Sequence, residues 1–333
     1  MADPYVVGID LGGSHVNAAV VDVTGNVAGQ AESPIDRTRP PRDLLREDVA
    51  RVVLDAMTVA GVERRAVRGV GMGLPGNIDR RRGVCRFSPN FRWHDVEVAR
   101  PLEEALDLSV FLLNDVRSHT LGEMQFGAGR GVRSLAMLAL GTGIGGGLVV
   151  NGRLIEGAHS AGGELGHITV DPLGPRCGCG NRGCVEALAS GPAIVRAVAE
   201  LAEVGGATGI LALAGSLEAV TPAHVTQAAR DGDVDALSIL SEAGRWLGVA
   251  IATVLTAIDP ERVLIGGGVG QAGELLLVPA RREVARRCRM IRASETPIVA
   301  AQLGQEAGVL GAAALALESV GLLPGLLDAS HTA

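Results

Sequence analysis

The sequence predicts a two-lobed α/β protein whose mixed sheets are flanked by helices. Its 333 residues are enough for two hydrophobic cores. A strand, a glycine turn, a strand, a tight turn and a third strand follow one another from Tyr5 and again from Leu135, which is a weak internal repeat. In each half, helices alternating with short apolar strands come next, a pattern typical of sheets with parallel strands.

The first half contains short apolar runs that predict strands at 5–10, 16–23, 27–32, 67–73 and 110–113. Apolar residues at helical spacing predict one helix through 44–57 and another across 96–106. In the second half, the same patterns predict strands at 135–140, 148–150, 153–156, 262–265 and 298–303, and helices at 234–258, 273–290 and 306–319.

We place the boundary between the lobes just after Asp115. The small lobe then comprises residues 1–115 and is completed by the returning C-terminal segment, about 304–333. The large lobe comprises residues 116–303 and carries the only cysteine-rich segment of the chain.

The charge and the basic residues exclude several classes of function. The net charge of −7 argues against a nucleic-acid partner, because neutralising phosphates requires a basic surface. All 30 basic residues are arginine. The chain therefore lacks the lysine of a Walker-type phosphate loop, the strand lysine of protein kinases and the lysine of a Schiff-base enzyme.

The cysteine usage and the hydropathy predict a cytoplasmic protein with no membrane partner. Three of the five cysteines lie in one cluster, which is no disulfide framework, and no signal peptide opens the chain. The uncharged run 134–152 is broken by a glycine turn, and the run 246–258 is too short to span a bilayer.

The segment from Glu164 to Glu186 predicts a structural zinc site. Three thiols and one imidazole within this segment are the ligand set of a closed tetrahedral site with no open position; they belong to His167, Cys177, Cys179 and Cys184. A structural zinc does not need the flanking carboxylates of Glu164 and Glu186. Because the metal would hold both acids near one point, we predict a polar binding site on a zinc-stapled loop.

Three glycine turns at strand ends predict a phosphate and nucleotide site. Asp10-Leu-Gly-Gly-Ser14 places a carboxylate beside backbone N–H groups, so that Asp10 could hold Mg²⁺ through water while the turn contacts phosphate. Gly141-Thr-Gly143 repeats this turn in the second half. Gly266-Gly-Gly268 would let a flat ring lie close to the backbone. Ligands of parallel sheets bind at the carboxyl ends of strands.

Six motifs of the chain together resemble one family. They are Asp10-Leu-Gly-Gly-Ser14, Gly73-Leu-Pro-Gly-Asn77, Asn114-Asp115, Gly141-Thr-Gly-Ile-Gly145, Glu164-Leu-Gly-His167 and Cys177-Gly-Cys-Gly-Asn-Arg-Gly-Cys-Val-Glu186. From about Tyr5 to the final helix, the chain resembles the ROK family (repressors, open reading frames, kinases) of sugar kinases. The resemblance implies a two-lobed actin-like ATPase fold, ribonuclease H-like, with the active site in the interlobe cleft.

The resemblance also implies a role for individual residues of an ATP-dependent hexose kinase. Asp115 would be the general base. The residues implied to bind sugar hydroxyls are Gly76, Asn77, Asn90, Asn114, Asp115, Glu164, His167 and Glu186. The residues implied to contact ATP are Asp10, Gly12, Gly13, Ser14, His15, Gly141, Thr142, Gly143, Gly266, Gly267 and Gly268. Mg²⁺ would accompany ATP, and His167 would bind zinc with one ring nitrogen and a hydroxyl with the other.

Several alternatives stay open at this level. His15 stands where the family often has lysine or asparagine, so either His15 or an arginine from elsewhere would assist the phosphates. Asp115 could also act as a helix cap. Glucose is the expected substrate, with N-acetylmannosamine, N-acetylglucosamine, fructose and allose as alternatives, and donors other than ATP stay open. Only nine residues precede Asp10, which disfavours a sugar-sensing repressor with a DNA-binding segment. The family suggests a homodimer or homotetramer.

Overall fold

The computed structural model describes residues 4–290, 293–323 and 325, with the backbone alone at residue 293. Strands are numbered here in chain order: β1 Tyr5–Leu11, β2 His15–Asp22, β3 Val27–Pro34, β4 Val67–Leu74, β5 Asn77–Asp79, β6 Val84–Ser88, β7 Trp93–Glu97, β8 Val110–Asn114, β9 Leu135–Leu140, β10 Ile144–Val150, β11 Arg153–Leu154, β12 Arg262–Gly266 and β13 Ile298–Ala300.

The helices are numbered in the same way: α1 Pro41–Asp43, α2 Ala50–Ala60, α3 Ala99–Leu106, α4 Asp115–Phe126, α5 Glu186–Ala189, α6 Gly191–Ala202, α7 Thr208–Ala214, α8 Pro222–Arg230, α9 Val234–Ile258, α10 Gly267–Gly270, α11 Glu274–Arg287 and α12 Ala307–Ser319. A π-helical segment, Leu44–Val49, joins α1 to α2. Single 3-10 turns form at Arg64–Ala66, Leu165–His167, Ala293–Glu295 and Gly304–Glu306.

The chain divides into two compact units. Unit 1 contains the described residues of Met1–Arg133, Asn151–Gly162 and Gln302–Ala333, and unit 2 contains those of Ser134–Val150 and Gly163–Ala301. This division places α4 in unit 1, whereas the boundary predicted from the sequence, just after Asp115, places nearly all of α4 in the large lobe. Within the predicted C-terminal completion of the small lobe, residues 324 and 326–333 lie outside the described part of the chain.

Unit 1 is built on a five-stranded mixed sheet of order β3-β2-β1-β4-β8. The first three strands are antiparallel neighbours, and β1, β4 and β8 run parallel. Leu44, Val49 and Val53 pack with strand side chains such as Ile9 in one core cluster. A second cluster packs Val309 and other residues of α12 against the same strands. Helices therefore lie on both faces, as the alternating pattern predicts.

Unit 2 repeats the central part of this sheet. Its strands follow the order β10-β9-β12-β13, in which β9 and β10 form an antiparallel hairpin and β12 lies parallel to both of its neighbours. The predicted internal repeat is thus confirmed for the first hairpin of each sheet. Within the described residues, α9 alone is long and apolar enough to cross a bilayer, but 67% of its most apolar window is buried, as expected of a core helix.

The structure corrects several of the predicted elements; among them, the strand predicted at 153–156 ends at Leu154, and the strand predicted at 148–150 begins at Ile144. The helix predicted from Val96 begins only at Ala99, because Val96 belongs to β7 of a small antiparallel sheet, β5-β6-β7, which the sequence analysis does not predict. The strand predicted at 298–303 ends at Ala300. The 25-residue helix predicted at 234–258 is confirmed with the same bounds.

A fully buried carboxylate fixes α4 to the segment that leads into α12. Glu123 has no exposed surface, and its oxygens accept hydrogen bonds from the N–H groups of Ala128 (2.8 Å), Gln302 (2.9 Å) and Leu303 (2.7 Å). A hydrogen bond to an ionised group contributes more free energy to folding than a bond between neutral groups does. A buried donor without a partner lowers the free energy of unfolding.

We therefore expect Glu123→Gln to lower the free energy of unfolding by about 2–4 kcal/mol, since the amide removes the charge and turns an N–H₂ group towards N–H donors. The midpoint of urea unfolding measures this. Glu103→Gln is the matched control, because the half-buried Glu103 carboxylate accepts one backbone hydrogen bond, from Val110. Equal shifts in the two variants would contradict the anchoring role of Glu123.

Candidate active site

The end of β8 and the start of α4 hold the predicted general base. Asn114 caps α4, since its Oδ1 accepts from the N–H groups of Val116 (3.1 Å) and Arg117 (3.2 Å). The Nδ2 of Asn114 donates to Asp115 Oδ1 (2.8 Å) and to the carbonyl of Gly76 (3.2 Å). The cap of this helix is therefore Asn114, and Asp115 is the first helical residue.

The Asn114 amide thus orients the Asp115 carboxylate. Asp115 Oδ1 also accepts from the N–H of Val116 (2.9 Å), so both of these bonds go to one oxygen. The other oxygen, Oδ2, is the one that can take a proton from a substrate. Because both ends of the Asn114 amide are engaged, its predicted contact with a sugar hydroxyl stays a prediction.

Two further ionisable groups, Asp10 and His119, set the charge around Asp115. Burial is the main cause that raises the pKa of Asp115, and the negative charge of Asp10 adds to it, while the charge of His119 acts in the opposite direction. His119 lies one helical turn after Asp115, and its Nε2 is 3.9 Å from Asp10 Oδ2.

The sequence analysis assigns no role to His119. Burial lowers its pKa, but the hydrogen bond and charge of Asp10, followed by the charges of Asp115 and Glu123, outweigh burial and raise the pKa of His119. The i, i+4 spacing from Asp115 on a predicted helix is the signal that could have found it.

The Asp10 carboxylate lies against the first turn of α12. A Cβ atom on Gly308 would be only 2.1 Å from Asp10 Oδ2, so this close approach requires glycine. The N-terminus of a 13-residue helix carries a partial positive charge that favours a carboxylate there. Asp10 is also the penultimate residue of β1, which is parallel to β4 and β8. Asp10 and Asp115, which directly follows β8, therefore lie at strand ends on one edge of the sheet.

The first glycine turn lies directly after Asp10. Within it, the N–H of Gly12 donates to the carbonyl of His15 (2.9 Å), so this group serves the turn itself. His15 is exposed, and its Nδ1 is 3.0 Å from Ser14 Oγ. Asn90 lies close by, because its Nδ2 is 3.8 Å from the Cβ position of Gly13. Unit 1 therefore brings the predicted residues Gly13 and Asn90 together.

Gly76 and Asn77 follow β4 on the same edge of the sheet. Gly76 has a φ of 135°, and a Cβ there would lie 2.4 Å from the carbonyl of Phe87, so only glycine fits. Asn77 Nδ2 donates to the carbonyl of His159 (3.1 Å). Its Oδ1 is buried and accepts no hydrogen bond from the described residues. A buried acceptor of this kind requires a donor, which a sugar hydroxyl could supply.

In unit 2 the four predicted zinc ligands come together. One ligand atom from each of His167, Cys177, Cys179 and Cys184 lies within 4.8 Å of all the others. Cys179 Sγ is 3.8 Å from Cys184 Sγ, and Cys177 Sγ is 3.7 Å from His167 Nδ1. Ligand atoms about 2.3 Å from one zinc ion at tetrahedral corners would be about 3.8 Å apart, so the donor set fits this metal.

Burial decides the protonation state of one thiol in this cluster. Burial raises the pKa of Cys177 to about 12, so without a metal this side chain stays a neutral thiol. A bound cation stabilises the thiolate form and displaces the proton. The Nδ1 of His167 faces Cys177, which leaves Nε2 for another partner.

Glu186 joins the cysteine cluster to the second glycine turn. Its Oε2 accepts from the N–H of Ile144 (2.9 Å), and its Oε1 accepts from the Cys177 thiol (3.3 Å). A Cβ on Gly143 would lie 2.5 Å from Glu186 Oε2, so glycine is needed for this approach. Glu164 precedes the turn Leu165–His167 and is exposed.

The glycine turns of unit 2 leave open space above their backbone. A Cβ on Gly141 or on Gly268 would meet no atom of the described residues within 4 Å. Gly266 ends β12, and Gly267 begins the short helix α10 with a φ of 80°. Thr142 lies between Gly141 and Gly143 in the turn that joins β9 to β10. This space is consistent with a ligand lying on the backbone.

The repeated sheet and the carboxylates at its strand ends define a protein of the actin-like ATPase class. The chain belongs to the ROK family, whose model matches residues 6–319. This confirms the resemblance predicted from the six motifs.

Individual relatives agree with this assignment. The chain is 39% identical to a glucokinase of Thermotoga maritima over 321 residues, covering 95% of this chain and 98% of that protein. It is similar to the crystal structure of a ROK family glucokinase from Streptomyces griseus in complex with glucose and AMPPNP, with a TM-score of 0.79 and 34% identity over 94% of this chain and 99% of that one. A xylose repressor of Bacillus subtilis is 26% identical; the match covers 94% of this chain and 77% of the repressor.

Proposed function

We propose that this ROK protein is an ATP-dependent glucokinase that phosphorylates the 6-hydroxyl of glucose. The observation that carries the proposal is the placement of Asp115 and Asp10 at the carboxyl ends of parallel strands of one sheet, with Asn114 orienting the Asp115 carboxylate. The glucokinase relatives at 39% and 34% identity support glucose as the sugar.

In this proposal Asp115 is the general base. Its Oδ2 accepts the proton of the attacking primary hydroxyl, while Asn114 and the N–H of Val116 hold Oδ1. Phosphoryl transfer mainly requires alignment and charge neutralisation. The raised pKa of Asp115 brings it closer to working pH and makes the carboxylate a stronger base.

Sugar recognition is assigned to polar side chains and one close backbone approach, at Gly76. A hexose presents hydroxyls that both donate and accept hydrogen bonds, so carboxylates, amides and an imidazole are suitable partners. The buried Oδ1 of Asn77 accepts no hydrogen bond from the described residues and could accept one from a sugar hydroxyl. The full set proposed for the sugar is Gly76, Asn77, Asn90, Asn114, Asp115, Glu164, His167 and Glu186.

ATP is assigned to the three glycine turns. The backbone near Gly13 and Thr142 would contact the phosphates, and the run Gly266–Gly268 would contact the flat base. Asp10 would hold Mg²⁺ through water, and the metal would supply charge neutralisation to the phosphates. Ser14 and His15 are the polar side chains at the edge of the first turn, and they stay candidates for phosphate contact.

Zinc is proposed as a structural ion on His167, Cys177, Cys179 and Cys184. With four protein ligands the site has no open position, so the metal would serve to order the loop. Bound through Nδ1, His167 would keep its tautomer and present Nε2–H to a sugar hydroxyl. The carboxylate of Glu186, at the end of the same loop, accepts a hydrogen bond from the N–H of Ile144 in β10, which fixes a second sugar ligand.

We also propose that the enzyme works in the cytoplasm as a homodimer or homotetramer. The dimer or tetramer is what membership of the ROK family suggests. Sedimentation velocity of the purified protein tests this, and a monomer at all concentrations would contradict it.

The raised pKa of Asp115 predicts the acid side of the pH–rate profile. Because the base works only when ionised, kcat/KM for the sugar should fall as the pH drops through a value above 3.8, the ordinary value for aspartate. Initial rates at saturating ATP between about pH 4 and pH 8 measure it. A rate independent of pH down to the ordinary range of aspartate would contradict the proposed role.

A panel of sugars tests the substrate. ADP release in a coupled assay should give the highest kcat/KM with glucose among glucose, N-acetylmannosamine, N-acetylglucosamine, fructose and allose. Good turnover of an amino sugar without turnover of glucose would overturn the choice of glucose and keep the kinase. ATP should be compared with polyphosphate in the same assay, because the residues assigned to the donor contact phosphates and a ring face.

A further inference from the structure

Residues 156–162 of unit 1 form a short loop that is closed by its own backbone hydrogen bonds; we name it the strap loop. The N–H of Gly162 donates to the carbonyl of Glu156 (2.8 Å), and the N–H of Ser160 donates to that of Gly157 (3.3 Å). Ser160 has a φ of 54°, a conformation that costs a non-glycine residue free energy. Contacts from outside the loop must therefore maintain this shape.

Three side chains from the predicted sugar-binding edge of unit 1 make these contacts. At one end, Arg80 Nη1 pairs with Glu156 Oε2 (2.9 Å), and each side chain is 9% exposed. In the middle, Asn77 donates to the carbonyl of His159. At the other end, Arg117 Nη2 donates to the carbonyls of Ser160 (2.9 Å) and Gly162 (2.8 Å).

Arg117 is the more deeply buried of the two arginines that make these contacts. The residue is 3% exposed, although it lies on α4 only two positions after Asp115. Burying a guanidinium is costly unless its donors are satisfied. The two carbonyls of the strap loop accept from this guanidinium. A neutral side chain of the same length would fill the space, but it would not hold the loop.

The position of the strap loop links it to sugar recognition. Its His159 carbonyl accepts from the Nδ2 of Asn77 and so orients this amide, whose buried Oδ1 accepts no hydrogen bond from the described residues. Its last residue, Gly162, precedes Glu164 by two positions in the chain. A shift of the loop would therefore displace one proposed sugar ligand through a hydrogen bond and another through the covalent chain.

We propose that Arg117 is a positioning residue for sugar binding, which acts by holding the Ser160 and Gly162 carbonyls of the strap loop. The inference rests on the proposed function for the identity of the sugar. A residue needed only for overall stability would affect the whole fold and both substrates. The proposed role of Arg117 instead predicts that its removal loosens the strap loop and weakens the binding of the sugar but not of ATP.

Arg117→Met tests the proposal, because methionine fills space without donating a hydrogen bond. Hydrogen exchange of the amides in 157–163, measured by mass spectrometry without ligands, should speed up by a factor of about 10 or more. The KM for glucose should rise by about 10-fold or more, while the KM for ATP should change by less than about 2-fold. Arg117→Lys retains a cation and should lie between Arg117→Met and the wild type in both measurements.

Arg281→Met is the matched control. Arg281 of α11 also donates to a backbone carbonyl, that of Ile298 (2.7 Å from Nη2), but it lies in unit 2 and away from the residues assigned to substrates. This variant should leave the exchange of 157–163 and both KM values unchanged.

Three outcomes would overturn the proposal: unchanged exchange of 157–163 in Arg117→Met, an equal rise of both KM values, or wild-type behaviour of Arg117→Lys beside a misfolded Arg117→Met. The last result would reduce Arg117 to a residue needed for folding. The exchange experiment contains no sugar, so it separates this inference from the proposed function, which fails only if the wild-type protein does not phosphorylate glucose.

Discussion

Asp115→Asn should lower kcat by a factor on the order of 10² or more and leave glucose binding measurable. Asparagine keeps an oxygen that can accept from Asn114 and from the N–H of Val116, so the local geometry should persist. What it loses is the capacity to take the hydroxyl proton. Steady-state kinetics and isothermal titration with glucose measure the two effects separately.

The same variant should not lose stability. Because the pKa of folded Asp115 is raised, its ionisation opposes folding: the stabilisation present below about pH 3.8 is lost as the pH rises through the folded pKa. Removing the charge should therefore leave the melting temperature at pH 7 unchanged or higher. Asp107→Asn, on the exposed Asp107 after α3, is the control and should keep the wild-type kcat. A kcat within about tenfold of wild type for Asp115→Asn would exclude Asp115 as the base.

Cys179→Ser should release the zinc ion and damage both sugar recognition and stability. A structural metal contributes its binding free energy to folding, so the melting temperature should fall. The loop that carries Glu186 and His167 loses its order, so we expect the glucose kcat/KM to fall by a factor on the order of 10 to 100. Plasma mass spectrometry of the purified protein measures the zinc content. Thermal unfolding measures the melting temperature, and steady-state kinetics measure kcat/KM for glucose.

Cys288→Ser is the control for this experiment. Cys288 is buried outside the cluster, and its Sγ lies 3.8 Å from the carbonyl of Ala252, a contact that serine can keep. Its zinc content and kinetics should match the wild type. If Cys179→Ser retained its zinc and its kinetic constants, the assignment of this cluster to a structural metal would be wrong.

Much of the fold could be predicted because its elements have strong patterns. The helix Val234–Ile258 is a long periodic segment, and its bounds agree with the prediction. The β5-β6-β7 sheet was missed because its strands have only three to five residues, which is too short for an alternating pattern to stand out. Val96 is predicted as helical because the apolar residues of β7 run directly into those of α3, so that the sequence pattern shows no boundary between the two elements.

The candidate site likewise contains some residues that the sequence predicts and others that it does not. The clustering of His167, Cys177, Cys179 and Cys184 could be predicted because three thiols and one imidazole within one short segment are a typical metal-ligand pattern, and the structure brings the four donor atoms together. Their role as zinc ligands stays a prediction. His119 has one weak sequence signal, its i, i+4 spacing from Asp115, and Arg117 has none, because a lone arginine on a helix has no signal of its own. Their contacts with Asp10 and with the Ser160 and Gly162 carbonyls join residues more than 40 positions apart along the chain. Tertiary contacts alone reveal such roles.

The most direct test of the central claim is the identity of the product formed from ¹³C-labelled glucose and ATP, followed by NMR. The proposed function predicts that the wild-type protein forms glucose 6-phosphate and ADP in equal amounts, and that Asp115→Asn forms almost none in the same time. A wild-type protein that binds glucose and ATP but forms no phosphorylated sugar, or one that phosphorylates a different hydroxyl, would contradict it.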